Sequence, residues 1–176
     1  MTDAKQLIDA AWQARREKRH GDAERDLLQA ITWARQANLR TELIHALTAL
    51  AHVLRDLGQD ERALPLYQEA VALCREEQDS LLLAHTVRHL GDLHRHAGRL
   101  LEAGNCYSEA LSLYRAAEAP PPLDFANAIR PAALLREAEG DLKTARTLWL
   151  EALRLYDAVG VRDAADECSR RLSRLG

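Results

Sequence analysis

The chain has 176 residues and a net charge of −3; 47% of its residues are hydrophobic, 29% charged and only 5% aromatic. This length suits one domain with its own core and is too short to predict two. The slightly acidic balance disfavours a nucleic-acid partner, because dedicated nucleic-acid binders carry a basic stripe and excess positive charge. Ala, Leu, Arg and Glu dominate, and no run of β-branched residues alternates between turn signals. We therefore expect an all-α protein.

The N-terminal segment, Met1-Thr2-Asp3-Ala4-Lys5, lacks the basic residues and apolar core of a signal peptide. No apolar stretch approaches the ~20 residues needed to span a bilayer, which predicts no membrane partner. The three cysteines are odd in number and form no CxxC motif, as is typical of a reducing compartment. We therefore expect a cytoplasmic protein, and the Ala-, Arg- and Leu-rich usage favours a bacterial one.

A motif of glycine, alanine, a large residue and alanine recurs along the chain. In one copy it reads Gly58, Ala63, Tyr67 and Ala70, and the same frame recurs 40 residues later and then 42 residues after that. In the first copy Lys18 stands where the glycine would be. The further copies are Gly98, Ala103, Tyr107 and Ala110; Gly140, Ala145, Trp149 and Ala152; and, at the start, Ala23, Leu27 and Ala30.

Upstream of each glycine position, apolar residues three and four apart mark one face of a preceding helix. Each repeat therefore reads as helix, short turn, helix. A small residue in each first helix lets the two helix axes approach closely; these residues are Ala11, Ala51, Gly91 and Ala133. The predicted repeats cover approximately 4–40, 41–79, 80–119 and 122–160, and a helix at 161–175 with one apolar side reads as a C-terminal cap.

The motif resembles the tetratricopeptide repeat family, and its best single copy holds Leu90-Gly91, Gly98, Ala103, Tyr107, Ala110 and Leu111. The common repeat has about 34 residues and closes with proline. Here arginine or aspartate replaces that proline, so the second helix can continue for about another turn. The resulting repeat of 40–42 residues is similar in length to the longer kinesin-light-chain-type repeats. The resemblance implies a right-handed superhelical solenoid of four antiparallel helix pairs plus a capping helix. It also implies a single domain over 1–176 that binds proteins and is not an enzyme.

A second stripe on the first helices is polar and mostly basic, and by the resemblance it lines a concave groove. Guanidinium groups grip carboxylates with paired hydrogen bonds, which predicts a protein or peptide partner with acidic features. The alternative is that these side chains only solvate the face or pair with neighbouring carboxylates such as Asp56, Asp92 and Glu137. Self-association is compatible with either interpretation. The predicted groove residues are Trp12, Arg15, His45, Thr48, His52, Arg55, His85, Arg88, His89, Asp92, Arg95, His96, Asn127 and Arg130.

Histidines in the second and third repeats suggest a rival function, a metal- or small-anion-binding sensor. His85 and His89 are four residues apart and can face one point, as metal ligands on a helix do. Against this, Arg88 and Arg95 interleave with them and would repel a dication. The sequence has no glycine-rich phosphate loop, no GxSxG motif and no cysteine with an evident histidine partner, so we expect no cofactor and no catalysis.

Overall fold

The structure, a computed structural model, describes residues 3–176. Met1 and Thr2, which belong to the predicted N-terminal segment and to the predicted domain of residues 1–176, lie outside the described residues. Within 3–176 it contains nine α-helices and no strand, and none of these helices combines the length and apolarity that a bilayer crossing requires. The helices are α1 (Ala4–Arg16), α2 (His20–Gln36), α3 (Arg40–Asp56), α4 (Asp60–Glu77), α5 (Ser80–His96), α6 (Leu100–Ala116), α7 (Pro122–Ala138), α8 (Leu142–Val159) and α9 (Arg162–Arg174).

These helices form two compact units, an N-terminal unit (Met1–Asp79) and a C-terminal unit (Ser80–Gly176). The N-terminal unit consists of the pairs α1/α2 and α3/α4, and the C-terminal unit of the pairs α5/α6 and α7/α8 with α9 packed on α8. The prediction of an all-α chain with four helix pairs and a C-terminal capping helix is confirmed. The second helices are 17 or 18 residues long, because no proline ends them and each runs on for an extra turn.

The repeated residues of the sequence build the core of each unit. The small residues of the second helices are fully buried, so that the first and second helices of a pair approach closely. The large residue between them is buried as well, as Leu27 and Tyr67 in the N-terminal unit and as Tyr107 and Trp149 in the C-terminal unit.

The turns inside the four pairs share one hydrogen-bonding pattern. After α3, the Gly58 N–H donates to the Arg55 carbonyl at 2.9 Å and the Gln59 N–H donates to the Leu54 carbonyl at 2.8 Å. This Schellman motif satisfies carbonyls that the helix end would leave without a donor, and it needs a left-handed residue at its turn. Glycine supplies that residue in three turns and Lys18, with φ of 60°, in the first.

The capping helix α9 is held to α7 and α8 by a small apolar side and by ion pairs. Ala165 and Cys168 are buried, and burial raises the pKa of the Cys168 thiol to about 11. Glu167 accepts two hydrogen bonds from Arg130 of α7, at 2.8 and 3.1 Å. Arg171 donates to Glu137 of α7 at 3.1 Å. The last pair of the chain is thus covered by a helix whose outer side is polar.

Candidate functional site: the polar face of the first helices

In three repeats, the buried aromatic residue of the second helix carries a polar group that bonds the first helix of the same pair. The Tyr67 hydroxyl lies 3.0 Å from His52 Nδ1, and the Tyr107 hydroxyl donates to Asp92 Oδ1 at 2.9 Å. In the last pair, Trp149 Nε1 donates to the Glu137 carboxylate. Within each unit, hydrogen bonds from the second helices thus hold polar side chains of the first helices in place.

In the N-terminal unit, three predicted groove residues contact neighbouring groups. Arg15 bonds both carboxylate oxygens of Asp56, at 2.6 and 3.0 Å, and this pairing lowers the pKa of the Asp56 carboxyl. The Arg15 guanidinium also lies 5.1 Å from the ring centre of Trp12, which is half-buried. Thr48 is buried and its hydroxyl donates to the Ile44 carbonyl at 2.9 Å.

The other predicted groove residues of this unit sit at different depths. His45 is exposed on α3, Arg55 is half-buried near the end of that helix, and His52 is buried with its ring 5.6 Å from that of Trp12. Within this unit, the predicted stripe thus contains one exposed side chain, and the others are half-buried or buried.

A pocket of about 420 Å³ opens between α1 and α3. Ile8 and Trp12 give it an apolar wall, and charges of both signs stand around them. A space of this volume can seat one or two side chains of a partner. The predicted groove residues include only Trp12 and His45 of its lining, because the pattern along one helix does not show which residues of two helices meet. The lining residues are Lys5, Ile8, Asp9, Trp12, Thr41, Glu42 and His45.

In the C-terminal unit, α5 brings its predicted residues around one buried carboxylate. Asp92 accepts from Tyr107 and lies 3.3 Å from Arg88 Nη1 and 3.6 Å from His89 Nδ1. The His85 and His89 rings meet edge to face at 4.7 Å. Among these α5 side chains, Asp92 therefore serves as a shared acceptor.

The same contacts bear on metal binding within this unit. His85 and His89 are close enough to approach one ion, as their spacing predicts. However, Arg88 Nη2 contacts His89 Nε2, and a guanidinium at that nitrogen opposes a cation there.

The remaining predicted residues of this unit lie at the end of α5 and on α7. Arg95 Nη2 is 3.2 Å from His96 Nε2 at the end of α5, and His96 is exposed. On α7, Asn127 Oδ1 accepts from the Tyr156 hydroxyl at 2.9 Å, and Arg130 is held by Glu167 of the capping helix. The pairing that the alternative interpretation expects therefore occurs for Arg15, Arg88 and Arg130.

Comparison with known proteins identifies the repeat. Residues 46–81 match the family model described as tetratricopeptide repeat. No curated protein matches the sequence.

Solved structures share the fold at low sequence identity. BtubC (BKLC) from P. vanneervenii has a TM-score of 0.75 and 18% identity, over 97% of this chain and 78% of that one. A putative kinesin light chain from Podosopora anserina with nearly identical TPR-like repeats has a TM-score of 0.70 and 16% identity, over 97% of this chain and 93% of that one.

Aspartyl phosphate phosphatase F from Bacillus subtilis has a TM-score of 0.86 and 15% identity, over 98% of this chain but only 45% of its own. Sequence identities this low support a shared fold and nothing about function. The resemblance to the tetratricopeptide repeat family that the glycine–alanine–aromatic motif predicts is confirmed, with residues 46–81 as its matching repeat.

Proposed function

We propose that the chain is a non-catalytic interaction domain that binds an acidic segment of another protein along the polar face of its first helices. The observation that carries the proposal is the set of bonds from Tyr67, Tyr107 and Tyr156 to polar side chains of that face. Side chains that are already held in place lose less conformational entropy when a partner binds, which favours affinity.

The charge of α5 supports an acidic partner. Its sequence, SLLLAHTVRHLGDLHRH, has two arginines, four histidines and a single carboxylate, Asp92. That carboxylate is buried and accepts from Tyr107, so it offers little negative charge to a partner. An approaching carboxylate therefore meets a helix whose other charged or polar ring groups are arginines and histidines.

A capture experiment from the lysate of the native host tests the proposal. The wild type is compared with Arg55→Glu/Arg95→Glu, which reverses one charge in each unit. The matched control is Arg154→Glu/Arg170→Glu, which makes the same charge change on exposed positions of α8 and α9. Mass spectrometry identifies the retained proteins.

We expect one or more partners that the wild type and the control retain and the first variant loses, with acidic segments mapped as the contact. Retention by all three proteins would place the contact on another surface and contradict the proposal. We further propose that residues 1–176 act as one domain in the cytoplasm.

A further inference from the structure

A second pocket, of about 370 Å³, lies in the C-terminal unit between α6, α7 and α8. Its lining residues are distinct from the predicted groove residues. The buried side chains of Leu111, Leu135 and Leu148 give it an apolar floor, and the exposed residues Ser108 and Arg115 stand at its opening. An apolar pocket of this volume with a few polar groups is typical of sites for small organic molecules.

Gly104 of α6 makes room for this pocket. The equivalent positions of the other second helices hold Glu24, Leu64 and Arg146, whereas a Cβ added at Gly104 would lie 3.4 Å from Leu135 Cδ2. Glycine inside a helix is destabilising relative to alanine, because it has more backbone freedom to lose on folding. The third repeat thus keeps open, at a cost to its helix, a space that a longer side chain would occupy.

Two arginines line the pocket, and the carboxylates that pair with them do not. Arg115 donates to Glu151 at 2.6 and 3.4 Å, and Arg136 donates to Glu139 at 2.8 Å. Ion pairs between solvent-accessible side chains contribute little free energy, so a ligand can compete for these arginines. Arg136 engages Glu139 through Nη1 alone, which leaves other donors of its guanidinium for a ligand.

We propose that this pocket binds a small amphipathic carboxylate, whose apolar part covers the leucine floor and whose carboxylate accepts from Arg136. A carboxylate fits because a guanidinium can grip it with two parallel hydrogen bonds, and because the Ser108 hydroxyl at the opening can donate as well. Arg115 adds positive charge at the same opening. This site goes beyond the proposed function, since it takes a small molecule and uses residues outside the polar face of the first helices.

The first part of the test fills the pocket. Octanoate is the probe, and isothermal titration calorimetry measures its binding to the full chain. Gly104→Leu introduces the residue that the second repeat holds at this position. Gly21→Leu in α2 is the matched control, because a Cβ there meets no atom within 4 Å. Ser108→Leu, the residue of the first and fourth repeats, is a second filling variant in case Gly104→Leu does not fold. Circular dichroism verifies the helical content of each variant.

The second part of the test concerns charge. Octanol, the uncharged counterpart of octanoate, is titrated into the same proteins. Arg136→Gln removes the cation and keeps a polar side chain, and Arg154→Gln makes the same change at an exposed position of α8 outside the pocket lining.

We expect octanoate to bind the wild type, Gly21→Leu and Arg154→Gln alike, and the filling variants to lose it. Octanol should bind the wild type about tenfold more weakly than octanoate does. Arg136→Gln should bind octanoate about tenfold more weakly, the typical effect of losing a hydrogen bond to a charged group, with little change for octanol.

Three results would overturn the inference. If the wild type does not bind octanoate, the ligand class is wrong. If the folded filling variants bind octanoate as the wild type does, binding occurs elsewhere on the chain. If octanol binds as tightly as octanoate, or Arg136→Gln leaves octanoate binding unchanged, the pocket does not recognise the carboxylate. The proposed function stands in each case, because the capture of an acidic partner is measured separately.

Discussion

The polar residues on the first helices depend on the core residues of the second helices that they contact. Where the second helix supplies tyrosine, the first helix places a polar hydrogen-bond partner above it, His52 over Tyr67 and Asp92 over Tyr107. Where the second helix supplies Leu27, the first-helix position holds Trp12, which has no acceptor to offer. In the second and third repeats, this first-helix position is therefore matched to the hydrogen-bonding capacity of one core residue.

Removing a tyrosine hydroxyl should cost more when its partner is charged. Tyr107→Phe takes a donor from the buried Asp92 carboxylate, and we expect a loss of about 1.5–3 kcal/mol in the free energy of unfolding. Tyr67→Phe removes a bond to an imidazole and should cost about 1 kcal/mol. Urea unfolding followed by circular dichroism measures both. Equal costs would show that Asp92 finds another donor once Tyr107 loses its hydroxyl.

Gly91 should tolerate no larger residue, although it lies inside helix α5. A Cβ at this position would stand 2.8 Å from Tyr107 Cε1 and 3.0 Å from Cys106 Cβ. Gly→Ala in a helix normally stabilises by up to about 1 kcal/mol, but here the overlap should reverse the sign and cost about 1–3 kcal/mol. The control is Gly21→Ala in α2, where a Cβ meets no atom within 4 Å and should stabilise. Chemical denaturation of both variants decides the sign, and a stabilised Gly91→Ala would mean that the Tyr107 ring moves aside easily.

At the scale of elements, the four turns inside the helix pairs allow a direct exchange of residues. Lys18 holds φ of 60° where Gly98 holds 74°, and a side chain in this region costs about 1 kcal/mol relative to glycine. Lys18→Gly should therefore stabilise by up to about 1 kcal/mol and Gly98→Lys should destabilise by a similar amount. Thermal unfolding of the two variants measures this. A destabilised Lys18→Gly would show that the lysine side chain contributes contacts that outweigh its backbone cost.

The last turn of α5 should make stability depend on pH. Burial, and then the charge of Arg99, lower the pKa of His94 below its ordinary value of 6.5, and Arg99 Nε donates to His94 Nδ1 at 2.9 Å. The unfolded chain then binds a proton more readily than the folded chain, so stability is lost as the pH falls below 6.5 toward the folded-state pKa.

His94→Gln should reduce this loss, because glutamine does not titrate and still offers an acceptor to Arg99. His45→Gln, at an exposed position of α3, is the control. Unfolding temperatures between pH 7.5 and 5 provide the measurement. A profile for His94→Gln as steep as that of the wild type would assign the pH dependence to other histidines.

The sequence predicts the helices, the pairs and the cap, because glycine, alanine and aromatic residues recur at fixed spacing and each has one steric use. It does not predict the depth of the polar stripe on the first helices, several of whose residues are buried. It does not predict that Glu167 of α9 engages Arg130, since no periodicity relates a capping helix to the repeats. The bonds beneath the face were missed as well, although their signal is present: a polar residue stands 15 positions before each of Tyr67 and Tyr107.

At the scale of the whole molecule, net charge and local charge act in opposite directions on an acidic partner. A net charge of −3 acts against an acidic partner at a distance, whereas the proposed function requires Arg55 and Arg95 to attract it at contact. Salt screens exposed charges over about 10 Å at 0.1 M, so the affinity for a glutamate-rich peptide should fall as the salt concentration rises.

The two double variants separate these effects, because each changes the net charge by the same amount. Arg55→Glu/Arg95→Glu should bind weakly at low salt and lose its dependence on salt. Arg154→Glu/Arg170→Glu should keep the wild-type dependence, since those exposed side chains lie on α8 and α9 and not on a first helix. Peptide titrations between 50 and 300 mM salt provide the comparison. If both variants lose the dependence equally, the peptide responds to the total charge of the chain and not to the polar face of the first helices.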